Sequence, residues 1–297
     1  MTEWHMRREI DEQPDLLESR AAHWMAEASR LGGELLSRDN LVVLGRGSSG
    51  NACVYASYLY ALRTGRHAIE LRPWVTTQQT PEADWSDASV LAFSVSGQST
   101  DIAHAAAWLK ERGAHVVGVT NAEDDECRLG HASHGLCHLN VGEERAVPST
   151  KTLCAQFFAS AALLGYDITE PAEETAAALR ALDAHDYAEM LAEFAVGART
   201  LSWVGRGPGL AAALDAALKC RESARQNSDA WSTAEFQHGF IGSLSADDRV
   251  VVFSDGNDTA GNIVAVTNAL LSRKTPFIVA GASHHPTSEG ARPSSVM

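Results

Sequence analysis

Basic charge is what this sequence is short of. Its 297 residues carry 24 Lys and Arg against 38 Asp and Glu, a formal net charge of −14. Nucleic acid and anionic membrane surfaces are bound by basic patches, so both partners are excluded on charge. An anionic small molecule is not, because backbone dipoles and hydroxyls bind one locally. Long hydrophobic runs are missing too, and none reaches membrane-spanning length. The opening Met1-Thr2-Glu3-Trp4-His5-Met6 has no apolar stretch of signal-peptide type. Cysteine is sparse: Cys53, Cys127, Cys137, Cys154 and Cys220 are odd in number, scattered, and mostly set in apolar runs. That argues against a disulfide framework and for reduced, structural thiols in a cytoplasmic protein. Apolar residues are not scarce. At 45% of the chain they suffice for the core of one large domain or two modest ones.

The order of patterns points to an α/β fold. Residues 1 to about 38 read as an amphipathic helical segment, with Leu16, Leu17, Ala21, Trp24, Met25 and Leu31 near helical spacing. Strand Leu41–Leu44 leads through Gly45-Arg46-Gly47-Ser48-Ser49-Gly50 into a helix expected over about 52–63. Further strands are expected at 67–71, 88–94, 115–119 and 136–141, with helices at 102–112 and 149–164. Such alternation predicts a parallel, doubly wound sheet, whose ligands sit outside the carboxyl ends of its strands. A polar helical stretch from Glu170 to about Ala195 bridges to a second half.

That second half repeats the first. Leu201-Ser202-Trp203-Val204-Gly205-Arg206-Gly207 parallels Val42-Val43-Leu44-Gly45-Arg46-Gly47, each an apolar strand, Gly-Arg-Gly and a small-residue helix start. The expected architecture is two tandem doubly wound parallel-sheet subdomains, at 39–185 and 186–283. The helical segment 1–38 precedes them, and residues 284–297 are expected to form a flexible tail.

The most informative stretch is Phe93-Ser94-Val95-Ser96-Gly97-Gln98-Ser99-Thr100-Asp101, at the handover from strand to helix. Unpaired N–H groups at a helix start, short hydroxyl side chains and a glycine that admits close approach make a cradle for a phosphate. It holds no Lys or Arg and lacks the Gly-Lys-Ser/Thr ending of a nucleotide P-loop, which suits a small phosphate monoester. From the residues alone an ordinary Ser/Gly turn capping a helix stands equally. The matching place in the second half carries Asp255 and Asp258, which would repel a phosphate dianion. Phosphate is therefore expected in the first copy only. His131, His134, Cys137 and His138 are metal-capable, but they straddle a turn and a short strand and have no second cluster of metal-site spacing. No metal and no cofactor is expected.

Five motifs in order resemble the sugar isomerase (SIS) family, in particular the double-SIS isomerase half of glucosamine-6-phosphate synthase and stand-alone amino-sugar-phosphate relatives. They are Glu9-Ile10-Asp11-Glu12-Gln13-Pro14, Ser94 to Ser99, Val147-Pro148-Ser149-Thr150-Lys151, Ala217 to Glu222, and Glu235-Phe236-Gln237-His238-Gly239. Sixteen positions separate Glu222 from His238, as in that family. The resemblance implies that Ser94, Ser96 and Ser99 hold phosphate and that Ser48, Ser49, Val147 and Ser149 contact the sugar. It also implies that Glu222 transfers the proton and that His238 assists ring opening from the neighbouring subunit of a homodimer. Val95 stands where the family commonly has a phosphate-contacting Gln.

The chemistry asks for the same groups. Moving a proton at C2 of a ring-opened sugar needs one carboxylate near neutral pKa and a second acid–base group at the ring oxygen. Partial desolvation on an Ala/Leu-rich helix is expected to raise Glu222. Without the resemblance, Glu222 reads as a surface partner of Arg221 or Arg225, His238 as a loop histidine bonded to backbone, and Lys151 and Lys219 as solvated or paired lysines. The substrate implied is an amino-sugar 6-phosphate, either N-acetylglucosamine 6-phosphate or glucosamine 6-phosphate. After Ala280 the sequence is Gly/Ser/His/Pro-rich, where the family has a tail with a catalytic lysine. That difference favours elimination of water after C2-proton abstraction (a dehydratase or lyase) over a deaminase or isomerase. A non-catalytic sugar-phosphate sensor is the third reading. The acidic 38-residue N-terminal segment is too short for the DNA-binding helix-turn-helix of sensor-type relatives.

Overall fold

The computed structural model describes residues 2–79, 81–182, 184–255 and 261–281. The expected tail 284–297 lies outside the described residues. The chain divides into two compact units, Met1–Leu182 and Asp183–Met297.

The first unit has five strands, the central three of them largely apolar, as strands covered on both faces must be. They are β1 (Asn40–Leu44), β2 (Ile69–Glu70), β3 (Ala88–Phe93), β4 (His115–Thr120) and β5 (Gly135–His138), in the order β2-β1-β3-β4-β5, every pair parallel. Alternate side chains go to opposite faces. Leu41, Val43, Leu91, Phe93, Val117 and Val119 pack with helices α2 (Gln13–Ser37), α3 (Ser48–Thr64), α6 (Lys151–Leu163) and α7 (Thr169–Ala181). Val42, Leu44, Val90, Ala92 and Val116 pack with α4 (Thr100–Glu111) and α5 (Arg128–Ala132). A doubly wound sheet is thus formed as expected.

Three local readings change. The segment 1–38 is two helices, α1 (Thr2–Asp11) and α2, broken where Pro14 enters the first turn of α2; Pro has no N–H for an unbroken helix. Nor does it stand apart from the unit. Leu17, Trp24, Leu31 and Leu35 lie in the core, and Trp24 Nε1 donates to the Leu139 carbonyl at 3.0 Å. Loss of such a buried ring costs about 3–5 kcal/mol. The strand expected at 67–71 forms only at Ile69–Glu70, an edge position where both residues are exposed. Helix α3 begins at Ser48, not near 52, so its two serines are helical.

The second unit has β6 (Leu201–Gly205), β7 (Ser228–Ser232), β8 (Arg249–Ser254) and β9 (Phe277–Gly281) in the order β7-β6-β8-β9, again all parallel. Leu201, Trp203 and Val251 pack with α8 (Ala184–Ala195) and α9 (Gly209–Lys219), and Val204, Val250 and Val252 with α10 (Thr233–Gln237) and α11 (Asn262–Arg273). The order matches β2-β1-β3-β4 of the first unit. The turns match as well: a Cβ on Gly45 would lie 2.4 Å from the Ser49 carbonyl oxygen, and one on Gly205 2.4 Å from that of Gly209. Each helix start passes too close for any side chain, which explains the glycine that opens both Gly-Arg-Gly turns. Among the described residues no helix is long and apolar enough to cross a membrane.

At the other end of the first sheet, His115 and His134 stack with centroids 4.8 Å apart, and the Val116 N–H donates to His134 Nδ1 at 3.0 Å. Burial holds both imidazoles below the ordinary histidine value. His134 adds to the effect on His115, and Lys110 and Arg38 add to that on His134, while Glu34 opposes both. A base with a lowered folded pKa binds fewer protons folded than unfolded. The pair's stabilisation is therefore complete above the unfolded value of about 6.5 and is lost as pH falls through the lowered folded values. Thermal melts should show Tm falling between about pH 7.5 and pH 5.5, with a smaller fall in a His115→Asn/His134→Asn variant. Equal falls in the two proteins would remove the pair from the explanation.

Candidate functional site

Helix α3 leaves β1 toward one face of the first sheet and α4 leaves β3 toward the other, although β1 and β3 are neighbours with Leu44 opposite Ala92. This is the topological switch point, where a crevice opens at the carboxyl ends of the strands. Both serine-bearing loops line it. Ser48 and Ser49 are the first residues of α3 and are buried; Ser94 is buried, Ser96 exposed, and Ser99 is the N-cap of α4.

The loop after β3 is held by its own backbone and by β4. Ser94 N–H donates to the Val119 carbonyl at 3.1 Å, and the Val95 carbonyl accepts from Asn121 N–H at 2.9 Å and from the Thr120 hydroxyl at 3.2 Å. Gly97 N–H returns to the Ser94 carbonyl at 3.1 Å. Gly97 has φ +67, and a Cβ there would lie 2.5 Å from Cys127 Sγ. Handedness and space both require glycine. Ser96 Oγ accepts from Gln98 N–H at 3.2 Å, whereas the Ser99 side chain makes no capping bond, so it leaves the first-turn amides of α4 to another acceptor.

Two further contacts tie the crevice together. Arg46, in the turn after β1, pairs through Nη2 with Oδ2 of Asp101 in the first turn of α4. Both side chains are at least half exposed, at 58% and 50%, so the pair is worth only about 0–1 kcal/mol. Ser49 Oγ accepts from Nε2 of Gln156, a fully buried residue of α6, at 3.0 Å.

The third helix start, that of α6, is organised by carboxylates that sequence reasoning did not single out. Glu144 accepts from Ser149 Oγ at 2.8 Å and from the amides of Thr150 at 2.7 Å and Thr152 at 3.3 Å. Glu9, fully buried, accepts from the amides of Arg145 at 2.6 Å and Ala146 at 3.1 Å. Lys151, only 5% exposed, donates to Glu12 at 2.6 Å, so of the two readings of this lysine it is the paired one. Glu9 and Glu12 are three apart, within helical reach of one loop, and the signal for their role lay inside the Glu-Ile-Asp-Glu-Gln-Pro motif. The braced loop presents Val147 at 79% exposure. Ser149 gives its proton to Glu144, so toward a ligand its hydroxyl can only accept.

The metal-capable residues are otherwise engaged. His138 bonds the Ala122 carbonyl and Asp125 at 2.9 Å each, His131 bonds the Cys127 carbonyl at 3.1 Å, His134 stacks on His115, and Cys137 is buried in β5. Among the described residues no three His, Cys, Asp or Glu side chains are placed to hold a metal. Burial pushes the Cys137 and Cys154 thiols up to about 12, which leaves both protonated.

In the second unit Glu222 lies in a widened turn, Cys220–Ala224, that ends α9. It is exposed and makes no ion pair among the described residues, so the expected desolvation on an apolar helix is absent from this chain by itself. The widened turn carries the carboxylate away from the apolar face of α9. Arg221 does not pair with it but donates to the Ser228 carbonyl at 2.5 Å. Lys219 pairs with Asp215 one turn back. His238, also exposed, is the C-cap of α10. In chain order Glu222 precedes β7 and His238 comes after it. Asp255 is exposed after β8, and Asp258 lies outside the described residues.

Residues 34–165 match the SIS domain. Over 268 residues, 85% of this chain, the sequence is 30% identical to a glutamine–fructose-6-phosphate aminotransferase (isomerizing) of Pyrobaculum aerophilum. The chain spans less than half the length of the curated relatives it matches, 44% in that case. Among solved structures, a protein assigned as a phosphosugar isomerase from Silicibacter pomeroyi DSS-3 is similar with a TM-score of 0.83 and 26% identity, over 95% of this chain and 87% of that one. Glucosamine-6-phosphate deaminase of Thermotoga maritima shares the fold, with a TM-score of 0.76 and 20% identity over 94% of this chain and 85% of that one.

Gly97→Ala should destabilise the chain by about 1–3 kcal/mol in urea unfolding, from backbone strain plus the Cys127 contact. Adding Cys127→Ala should recover only the contact part. Full recovery in the double variant would show that φ at this position carries no strain.

Proposed function

Through residues 34–165 the chain is a member of the SIS domain family, and on that premise we propose that it is an enzyme acting on an amino-sugar 6-phosphate by proton transfer at C2. The observation that carries the proposal is the hydroxyl-lined, uncapped start of α4 at the switch point, where a phosphate monoester finds orphan amides, Ser94, Ser96 and Ser99, and a glycine that admits it closely. Ser48, Ser49 and the loop of Val147 and Ser149 then meet the sugar, with Ser149 accepting from a sugar hydroxyl. Glucosamine 6-phosphate and N-acetylglucosamine 6-phosphate both fit that description.

Glu222 is the base and His238 the group that protonates the ring oxygen as the ring opens. Glu222 takes the C2 proton of the open aldose, and the proton is returned at C1, giving a C1 alcohol and a C2 imine, the nitrogen analogue of a ketose. Where the C2 nitrogen is free, the resulting imine takes up water and releases ammonia. The names of the isomerizing relatives support this outcome. Loss of the C3 hydroxyl from the same intermediate is favoured only by the sequence after Ala280. Residues 282–297 lie outside the described residues, so nothing observed favours it.

The exposed positions of Glu222 and His238, before and after β7 in the chain, support a homodimer in which His238 serves the neighbouring subunit's site. Mixing an inactive Glu222→Gln protein with an inactive His238→Ala protein should restore part of the activity, because mixed dimers regain an intact site. Proven subunit exchange without recovery would count against sharing.

Mass spectrometry of products from a panel of hexosamine 6-phosphates tests the reaction. Loss of ammonia with uptake of water, or an unchanged mass with deuterium from solvent at C1, is expected. A product one water lighter would establish elimination instead. Glu222→Gln should lower kcat by roughly two to four powers of ten with substrate affinity largely kept. Full activity in that variant would sink the mechanism, whatever the product.

A further inference from the structure

The hydroxyl cradle has no cation of its own, for no Lys or Arg lies between Phe93 and Thr100 and Val95 offers no side-chain donor. The fold supplies one from the neighbouring loop. Arg46 leaves the turn after β1 and meets Asp101 in the first turn of α4, across the mouth of the crevice between the two loops. The contact runs through one guanidinium nitrogen, Nη2, and a guanidinium carries five N–H donors, more than that one bond uses. Asp101 sits where a helix start attracts negative charge, so it occupies the same electrostatic position that a phosphate would take. Both side chains are exposed enough for the pair to be exchanged at little cost.

We propose that Arg46 is the cation of the phosphate site and Asp101 its resident counter-ion, so that a phosphate dianion takes a share of the guanidinium from Asp101 on binding. This rests on the reading of Ser94 to Ser99 as the phosphate cradle. The arrangement selects for charge: a neutral sugar gains nothing from Arg46 and leaves the ion pair closed, whereas a dianion draws the guanidinium over the start of α4. Asp101 then works against binding, because its carboxylate remains beside the bound anion.

The test is a double-mutant cycle read by titration with inorganic phosphate, using 31P NMR and calorimetry on the full chain. Arg46→Gln should weaken phosphate binding roughly 10-fold, the range for loss of one charge-assisted hydrogen bond. Asp101→Asn should strengthen it, by roughly 2- to 5-fold, by removing like charge. If Arg46 touches the anion, Arg46→Gln costs affinity in the Asp101→Asn background as well. A loss that disappears in that background would mean that Arg46 only screens Asp101, and the proposal would be overturned. Ser96→Asp separates the two levels. If it abolishes binding while Arg46→Gln has no effect, the cradle stands and the role of Arg46 falls. If it leaves binding unchanged, the cradle reading itself falls. Arg46 and Asp101 are both exposed, and unchanged thermal melts of the variants would confirm that affinity rather than folding is being read.

Discussion

Two neighbouring parallel strands whose crossover helices leave to opposite faces cannot close the gap between them, and in this protein everything chemically useful in the first unit depends on that gap. A parallel pair must be joined by a crossover, so each helix after a strand begins at the carboxyl edge of the sheet. Helices α3, α4 and α6 come after β1, β3 and β5 and start at that common edge. The start of α4, which Ser99 leaves uncapped, gives local positive potential without a single lysine or arginine in the serine loop. In a chain of net charge −14 that potential is local to one spot. Solvent and salt screen the many exposed carboxylates elsewhere, while orphan amides a few ångströms away act at full strength.

Legibility in the sequence tracked the range of the interaction. The sheet was readable because strands buried on both faces are apolar along their length, as in Ala88–Phe93. The serine loop was readable because hydroxyls and a glycine between a strand and a helix form one contiguous word. The start of α3 was not: Gly47 at φ +57 turns the chain without a capping side chain, so Ser48 and Ser49 look like loop. The strand expected at 67–71 shortens because those residues do not show whether a partner covers them; at the sheet edge only two residues pair. The desolvation of Glu222 was inferred from its Ala/Leu-rich neighbours, but the helix widens at Cys220 and the apolar face no longer extends to it. Arg46 with Asp101, and Glu9 with the amides of Arg145 and Ala146, join residues 55 and more than a hundred positions apart. No local pattern announces such pairs.

The N-terminal helices show how a binding loop is kept ordered without burying apolar residues in it. Residues 143–150 have few internal hydrogen-bond options, and Val147 contributes almost nothing to a core. Three carboxylates supply the order. Glu9 and Glu144 accept backbone and hydroxyl donors, and Glu12 neutralises the buried Lys151. Removing either acceptor would leave part-buried N–H groups unsatisfied, at up to about 1–3 kcal/mol each. That outweighs an exposed ion pair such as Arg46 with Asp101. The loop is thus rigid where the crevice needs a fixed wall, and the exchangeable contact sits at the mouth.

The two repeats have diverged at the same places where the first is most specialised. Both keep the glycine whose absent side chain lets the helix start close on the strand, and both keep the strand order that opens a crevice. Topology alone therefore offers two anion sites. After β8 the chain places Asp255, an exposed carboxylate, instead of a run of hydroxyls. In the first unit the comparable acid, Asp101, has Arg46 to hold it. The two copies therefore differ in the side chains they place after these strands, Ser94, Ser96 and Ser99 in the first and Asp255 in the second. One fold repeated twice thus carries hydroxyls after β3 and a carboxylate after β8, and Glu222 and His238 both belong to the second copy.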